Sequence, residues 1–325
     1  MNQSTFTIED PQFAGIRVDR YVAEELSLFT RSQLKSREVT ILVNGRAAKW
    51  SRHLVVGDIV ALSWENAPES TITAEPIDLD VLYEDHDVVV VNKPQGMVVH
   101  PAAGNFTGTL VQGLLYRGDS DETELSEENL RPGIVHRLDK DTSGVIITAK
   151  NPEARQFLAN QFAKRNTRKV YLAIVKGMVM PRKGRIESLI CRDPKNRKRF
   201  TTSESEGKPS VTEYSVLHQW DQYAFVSLHP LTGRTHQLRV HLTSKGHPIL
   251  GDPTYSRPDR AFPLATLMLH AHRLTIMLPR RLPDEGAPLG YHYVGGETLE
   301  FRAPLPERFK SIIRLIAQKP LGTNS

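Results

Sequence analysis

The densest concentration of reactive side chains in this sequence is Gly133-Ile134-Val135-His136-Arg137-Leu138-Asp139-Lys140-Asp141-Thr142-Ser143-Gly144. His136, Arg137, Asp139, Lys140, Asp141 and Thr142 crowd a few residues of backbone, just ahead of the apolar run Val145-Ile146-Ile147-Thr148-Ala149. Burying such groups unpartnered is costly, so the concentration points to a built site. The competing reading is a plain polar turn, because Asp-Thr-Ser-Gly is good turn chemistry by itself. A phosphatase-type aspartate nucleophile, Asp-x-Asp-x-Thr after a buried strand, fits poorly. Ser143 stands at the fifth position, and the approach through Pro132, His136 and Arg137 is not an apolar strand. No Gly-rich phosphate loop or Walker-type lysine accompanies it, and no further acidic cluster completes a magnesium site.

The rest of the chain must position these residues. At 325 residues it suits two domains, one of them large. Apolar and charged fractions are ordinary for a soluble protein, and no apolar run approaches membrane-spanning length. The N-terminus lacks the pattern of a secretion signal, and Cys191 is the sole cysteine, which excludes an intramolecular disulfide and a multi-cysteine metal site. The expectation is a soluble cytoplasmic monomer. Net charge is +5, with a pI near 9.2. The cations are segregated: Arg31, Lys35, Arg37, Arg46, Lys49 and Arg52 form one group, and Arg182, Lys183, Arg185, Arg192, Lys195, Arg197, Lys198 and Arg199 form another. Residues 119–128 carry only acidic charges and read as a solvated loop. Such segregation suits a polyanion-binding surface.

Residues from about Gly15 to Trp64 read as a small α+β module. Val18, Val22 and Leu26 recur at helical spacing, a second helix opens at Gln33 behind Thr30, and Asn44-Gly45 is a hairpin signal between strands. A Pro/Glu/Ser/Thr-rich linker follows. The expected division is 1–70, a linker at 71–78, and a second domain at 79–325. In that domain Val88–Asn92, Arg168–Val175, Thr212–Leu217 and Ala224–Leu228 read as strands. Thr109–Leu115, a segment opening at Asn151-Pro152-Glu153, and Phe309–Ile316 read as helices. Thr235–Lys245 reads as a short helix, with a strand as alternative, and residues 286–296 as loop. Without strict βαβ alternation the fold class is α+β rather than a doubly wound parallel sheet.

His136-Arg137-Leu138-Asp139-Lys140-Asp141-Thr142-Ser143-Gly144 resembles the signature of the RluA family of RNA pseudouridine synthases. Further blocks agree in order: Tyr83-Glu84-Asp85, Asn92-Lys93-Pro94, Val99-His100-Pro101, Lys169-Val170-Tyr171-Leu172-Ala173, Gly207-Lys208-Pro209 with Thr212, Gly233-Arg234-Thr235-His236-Gln237-Leu238-Arg239 and Gly246-His247-Pro248 through Asp252. Several long motifs in one order are far harder to obtain by chance than one short pattern. The N-terminal module, through Arg17-Val18-Asp19, Thr30-Arg31-Ser32, Val43-Asn44-Gly45 and Val56-Gly57-Asp58, resembles the S-four-like RNA-binding domain first seen in a ribosomal small-subunit protein. That pairing resembles the subgroup acting on large-subunit (23S) ribosomal RNA.

The resemblance implies a mixed, mainly antiparallel sheet in the catalytic domain, and an isomerase that needs no cofactor and no metal. Asp139 matches the family's catalytic aspartate, Tyr171 its active-site tyrosine, and Arg239 the arginine paired with the aspartate. Arg137 matches a residue that fills the space of the extruded base. His136, Thr142 and Arg234 are the expected active-site support. Asp139 attacks the sugar or takes a sugar proton, and an arginine partner favours its charged form in either case. Arg31, Lys35, Arg182, Lys183 and Arg185 are the expected RNA contacts, in a surface that follows the ribosomal RNA backbone with salt-sensitive affinity. The alternative is a non-catalytic RNA-binding or ribosome-assembly protein on the same fold.

Overall fold

The computed structural model describes residues 2–26, 34, 39–64, 72–102, 104–118, 133–284, 286 and 291–318. The chain divides into two compact units, Met1–Thr71 and Ile72–Ser325. In the first, β1 (Asn2–Thr7), α1 (Val18–Glu24), β2 (Thr40–Val43), β3 (Arg46–Ala47) and β4 (Ile59–Trp64) surround one small core, with sheet order β1-β4-β2-β3. Val18 and Val22 of α1 share that core with Ile41, Val43, Val60 and Leu62. Asn44 and Gly45 both take positive φ, 53° and 74°, as a tight hairpin demands. Asn44 Nδ2 also donates to the buried Asp58 at 2.7 Å, which fixes the approach of β4. Of the helix expected from Gln33 only the buried Leu34 lies among the described residues; Arg31 and Lys35 lie outside them, as does the acidic stretch 119–128.

The second unit runs β5 (Val81–Glu84), β6 (Val88–Lys93), α2 (Leu110–Arg117), β7 (Ser143–Ala149), α3 (Pro152–Ala163), β8 (Arg168–Lys176), β9 (Lys183–Arg192), β10 (Phe200–Ser203), β11 (Lys208–Gln219), β12 (Tyr223–Pro230), α4 (Gln237–Ser244), β13 (Leu269–Pro283), β14 (Tyr291–Arg302) and α5 (Glu307–Gln318). Nine strands line up as β10-β9-β11-β12-β8-β13-β7-β6-β5, and β14 pairs onto β13. Every pairing is antiparallel except β13 with β7, so the α+β, mainly antiparallel expectation holds. Helix starts follow local chemistry. Asn151 caps α3 by accepting from Ala154 N, with Pro152 in the first turn, and Thr109 with Gln112 forms a capping box on α2. No helix among the described residues is long and apolar enough to cross a membrane.

Three features position the site. β7 is buried along its whole length, and its neighbours β6 and β13 pin the segment that leads into it. Gly144, read in the sequence as part of a loop, is already in β7. It sits at φ 116°, where a Cβ would meet the Ala271 carbonyl oxygen at 2.1 Å, so only glycine lets β13 approach. Ala271 in turn pairs with Tyr171 of β8, which sets Gly144 and Tyr171 in one row two strands apart. The chain after Ile72 packs on α2: Glu75 accepts from Gln112 Nε2 at 2.6 Å and from Gly108 N at 2.9 Å, and Leu79 is buried. Residues 291–296, expected as loop, form the start of β14 because they pair with the far end of β13.

Candidate active site

Asp139 sits on the loop that feeds β7, and its backbone is held mostly through carbonyls. Lys93, fully buried at the end of β6, donates from Nζ to Pro94 O, Met97 O and Lys140 O at 2.9, 2.8 and 3.1 Å. Burial lowers its ammonium to about 7, against the pull of Asp139 and Asp141. Gly96 N also donates to Lys140 O, Gln95 Nε2 to Asp141 O, and Thr142 N to Asp139 O. Lys140 and Asp141 contribute their carbonyl oxygens here, and Lys140 Nζ also donates to Asn105 Oδ1 at 2.8 Å. Behind the loop, Ser143 Oγ is bonded to the buried His270 at 2.9 Å and accepts from Arg308 of α5 at 2.5 Å.

In front of Asp139 opens a cleft of about 450 Å³, roomy enough for a nucleoside. His136, Arg137, Asp139, Thr142, Tyr171, Arg234 and Arg239 all line it, though they are drawn from three distant stretches of chain. Arg239, on the first turn of α4, is buried and held from behind by Asp252: Nε donates to Oδ2 at 2.7 Å and NH2 to Oδ1 at 2.8 Å. This bidentate pair leaves NH1 to reach Asp139 Oδ2 at 3.3 Å. Burial disfavours the Asp252 charge, but the bonds from Arg239, Thr254 N and Tyr255 N win and hold its carboxyl below the usual value. Tyr171 closes the cleft floor. Burial, then the charge of Asp139, pushes its phenol well above the usual value, so it stays protonated near neutral pH.

Residues 87–244 match the family described as RNA pseudouridylate synthase. The chain is 43% identical over 277 residues to ribosomal large subunit pseudouridine synthase D of Borreliella burgdorferi, covering 83% of this chain and 84% of that protein. It is 37% identical to the Neisseria meningitidis serogroup B protein of the same name over 322 residues, 94% of this chain and 81% of that one. Among solved structures, human RNA pseudouridylate synthase domain containing 4 superimposes with a TM-score of 0.53 at 26% identity, covering 73% of this chain and 92% of that one. The chain belongs to the RNA pseudouridine synthase family.

As a pseudouridine synthase it isomerises uridine in RNA, and its cleft suits a polyanion. Arg137 is exposed at the mouth, with Arg165 and Lys169 on the adjoining wall. Arg234 is held by a bond from Nε to Pro209 O at 3.2 Å. His136 faces inward, stacked on Phe162 at 4.4 Å, and its Nε2 accepts from Ile147 N at 3.1 Å. Burial lowers that imidazole to about 3, so His136 supports the wall as a neutral ring. Arg182, Lys183 and Arg185 are not brought to the cleft. Along β9 the residues Lys183, Arg185 and Glu187 are exposed while Ile186 and Ile190 are buried, and α4 reaches the buried side through His241 and Ser188. Lys183 and Arg185 therefore point from the opposite face, and Arg185 is paired there with Glu187 and, at 3.9 Å, with Glu213. Facing α4 instead is Arg192, whose guanidinium lies 5.2 Å over the Phe200 ring. Arg31 and Lys35 lie outside the described residues.

Sequence reasoning gave no role to Asp252, Lys93, Gln95 or Tyr255. Asp252 and Lys93 stood inside quoted motifs, but a lone Asp after Gly251 and a Lys before Pro94 read as turn residues until their partners are known.

Proposed function

We propose that this protein makes pseudouridine in large-subunit ribosomal RNA, with Asp139 as the reacting carboxylate. The observation that carries it is the convergence of Asp139, Tyr171 and Arg239 on one cleft, with Arg239 fixed by Asp252 and donating to Asp139. The names of the relatives supply the choice of RNA. Arg239 engages Oδ2, and among the described residues no donor engages Oδ1, which stays available to the sugar, at C1′ as nucleophile or at the C2′ proton as base. In the net reaction the N1–C1′ bond breaks and a C5–C1′ bond forms. The C5 proton leaves and N1 gains one, so nothing is consumed. Tyr171, kept protonated, offers a stacking face and a hydroxyl rather than a phenolate base. The target uridine must leave its helix at a cost of a few kcal/mol. Arg137 at the cleft mouth fills the gap and meets phosphate. The N-terminal unit acts as an S-four-like RNA-binding module, and the enzyme works as a cytoplasmic monomer.

The test is tritium release from large-subunit RNA labelled at the uracil 5-position. Wild type releases tritium, and Asp139→Asn lowers the rate by at least about 10³-fold while RNA binding persists. An Asp139→Asn enzyme of normal rate would overturn the assignment of Asp139. Mapping pseudouridines in RNA from cells lacking the protein identifies the target positions.

A further inference from the structure

His236 occupies a costly backbone position. It sits at φ 55°, ψ 16°, the left-handed region, immediately before α4, and its side chain does not cap the helix. A non-glycine residue in that region is strained and persists where the surroundings over-determine it. Here the surroundings aim the imidazole. Nδ1 lies 2.8 Å from the Tyr255 hydroxyl, and Nε2 lies 3.8 Å from Asp139 Oδ2.

The hydrogen bonds around Tyr255 fix the tautomer. Its oxygen accepts from Phe200 N at 2.8 Å, and among the described residues the only acceptor in reach of its proton is His236 Nδ1. With Nδ1 accepting, a neutral His236 carries its hydrogen on Nε2, the nitrogen that faces Asp139. Tyr255 also presents its ring to the other donor: the Arg239 guanidinium lies 5.0 Å from the ring centroid. Its backbone N–H donates to Asp252 Oδ1 at 3.0 Å, the carboxylate that clamps Arg239. A single turn, Asp252 to Tyr255, therefore holds both groups that address Asp139 Oδ2.

We propose that His236, locked by Tyr255 as its Nε2–H tautomer, is a second positioning residue for Asp139. It donates to Oδ2 beside Arg239 once RNA closes the cleft, so that Oδ1 alone faces the sugar. A separation of 3.8 Å is too long for a hydrogen bond in the free enzyme. Bonds of this kind in unliganded sites commonly tighten on substrate binding. The inference rests on the reading of Asp139 as the reacting carboxylate.

The experiment compares His236→Asn, His236→Gln and Tyr255→Phe by tritium release, with Asp139→Asn alongside. Asparagine tolerates the left-handed backbone but is too short to reach Asp139, whereas glutamine can place a donor near the Nε2 position. The expected result is a fall in kcat of about tenfold to 10²-fold for His236→Asn with little change in KM, and partial recovery in His236→Gln. Tyr255→Phe keeps the ring over Arg239 and is expected to lose about tenfold in kcat. Adding it to His236→Asn should cost almost nothing more, since both act through one bond. Independently of activity, 15N spectra of histidine-labelled enzyme should show the His236 signal, assigned by its loss in the variants, as Nε2–H in wild type and as a tautomer mixture in Tyr255→Phe. An Nδ1–H signal in wild type, equal kcat in wild type and His236→Asn, or a loss confined to KM would overturn the inference. An active Asp139→Asn enzyme would instead remove the reading beneath it, so the two failures are distinguishable.

Discussion

Two arginine–aspartate clusters in the catalytic unit use the same residue types to different ends. At one, Asp87 Oδ1 accepts from Arg281, from Tyr293 Oη at 2.6 Å and from Asn151 Nδ2 at 3.0 Å, tying β13 and β14 to the cap of α3. At the other, Arg239 is saturated by Asp252 on one side and touches Asp139 with a single N–H on the other. A carboxylate that serves as scaffold is surrounded by donors. Asp139, the proposed reagent, is oriented through one oxygen and left open at the other. The difference lies in how many donors each carboxylate has, which residue type alone does not reveal.

Asp252→Asn tests that contrast most severely. It leaves Arg239 buried without its counter-charge, a change that costs about 3–5 kcal/mol in comparable buried pairs. The freed guanidinium also loses its aim at Asp139, and kcat should fall by about 10²-fold or more. Because the Asp252 carboxyl is held below its ordinary value in the fold, its contribution to stability is full above the unfolded value, about pH 4. It is lost as pH falls through the lower folded value. Urea midpoints of wild type and Asp252→Asn should therefore differ at pH 7 and converge toward acid. An unchanged kcat would erase the distinction between the clusters.

At the scaffold cluster, Asp87→Asn should cost about 1–3 kcal/mol of stability and leave kcat of the folded enzyme within about twofold. A selective loss of kcat there would show that the two clusters are coupled. The buried histidines sharpen the boundary of the scaffold. Burial lowers both His241 and His270 to about 4, so the folded protein refuses protons that the unfolded chain accepts below about pH 6.5. Stability should decline between these limits, by on the order of 1–3 kcal/mol for each ring. Replacing His270 by Gln should flatten the decline seen in urea midpoints. The smallest effects concern the surface. Charge reversal at Arg192 should weaken RNA binding most at low salt and reduce the salt slope, while reversal at Lys183 and Arg185 should change affinity by less than about twofold. Equal effects would place RNA on both faces of β9.

Much of this was legible in the sequence because it is local. Asn151-Pro152 announces α3, Asn44-Gly45 its hairpin, and the alternation in Thr212–Leu217 and Ala224–Leu228 the central part of β11 and β12. The signature around Asp139 was visible, as was the match of Tyr171 and Arg239 to it. β13 was not, since Pro279 and the paired arginines Arg280 and Arg281 break the expected pattern, and a bulge absorbs the proline. The face on which a cation lies was equally hidden: Lys183 and Arg192 stand in one basic run, yet strand periodicity sends them to opposite sides. Lys93 and Tyr255 act through distant backbone atoms, and no spacing rule encodes such partners.

The order of strands has a consequence for how this enzyme is made. β7 and β8 never meet; β13, far later in the chain, lies between them. A nascent chain that stops at Thr266 already contains Asp139, Tyr171, Arg239 and Asp252, yet holds them on two half-sheets with bare facing edges. Only when Leu269–Pro283 leaves the ribosome can the halves be joined and the row Gly144–Ala271–Tyr171 be completed. Until then the cleft is incomplete, and the unfilled slot leaves two strand edges with unpaired backbone groups of the kind that favour misassembly.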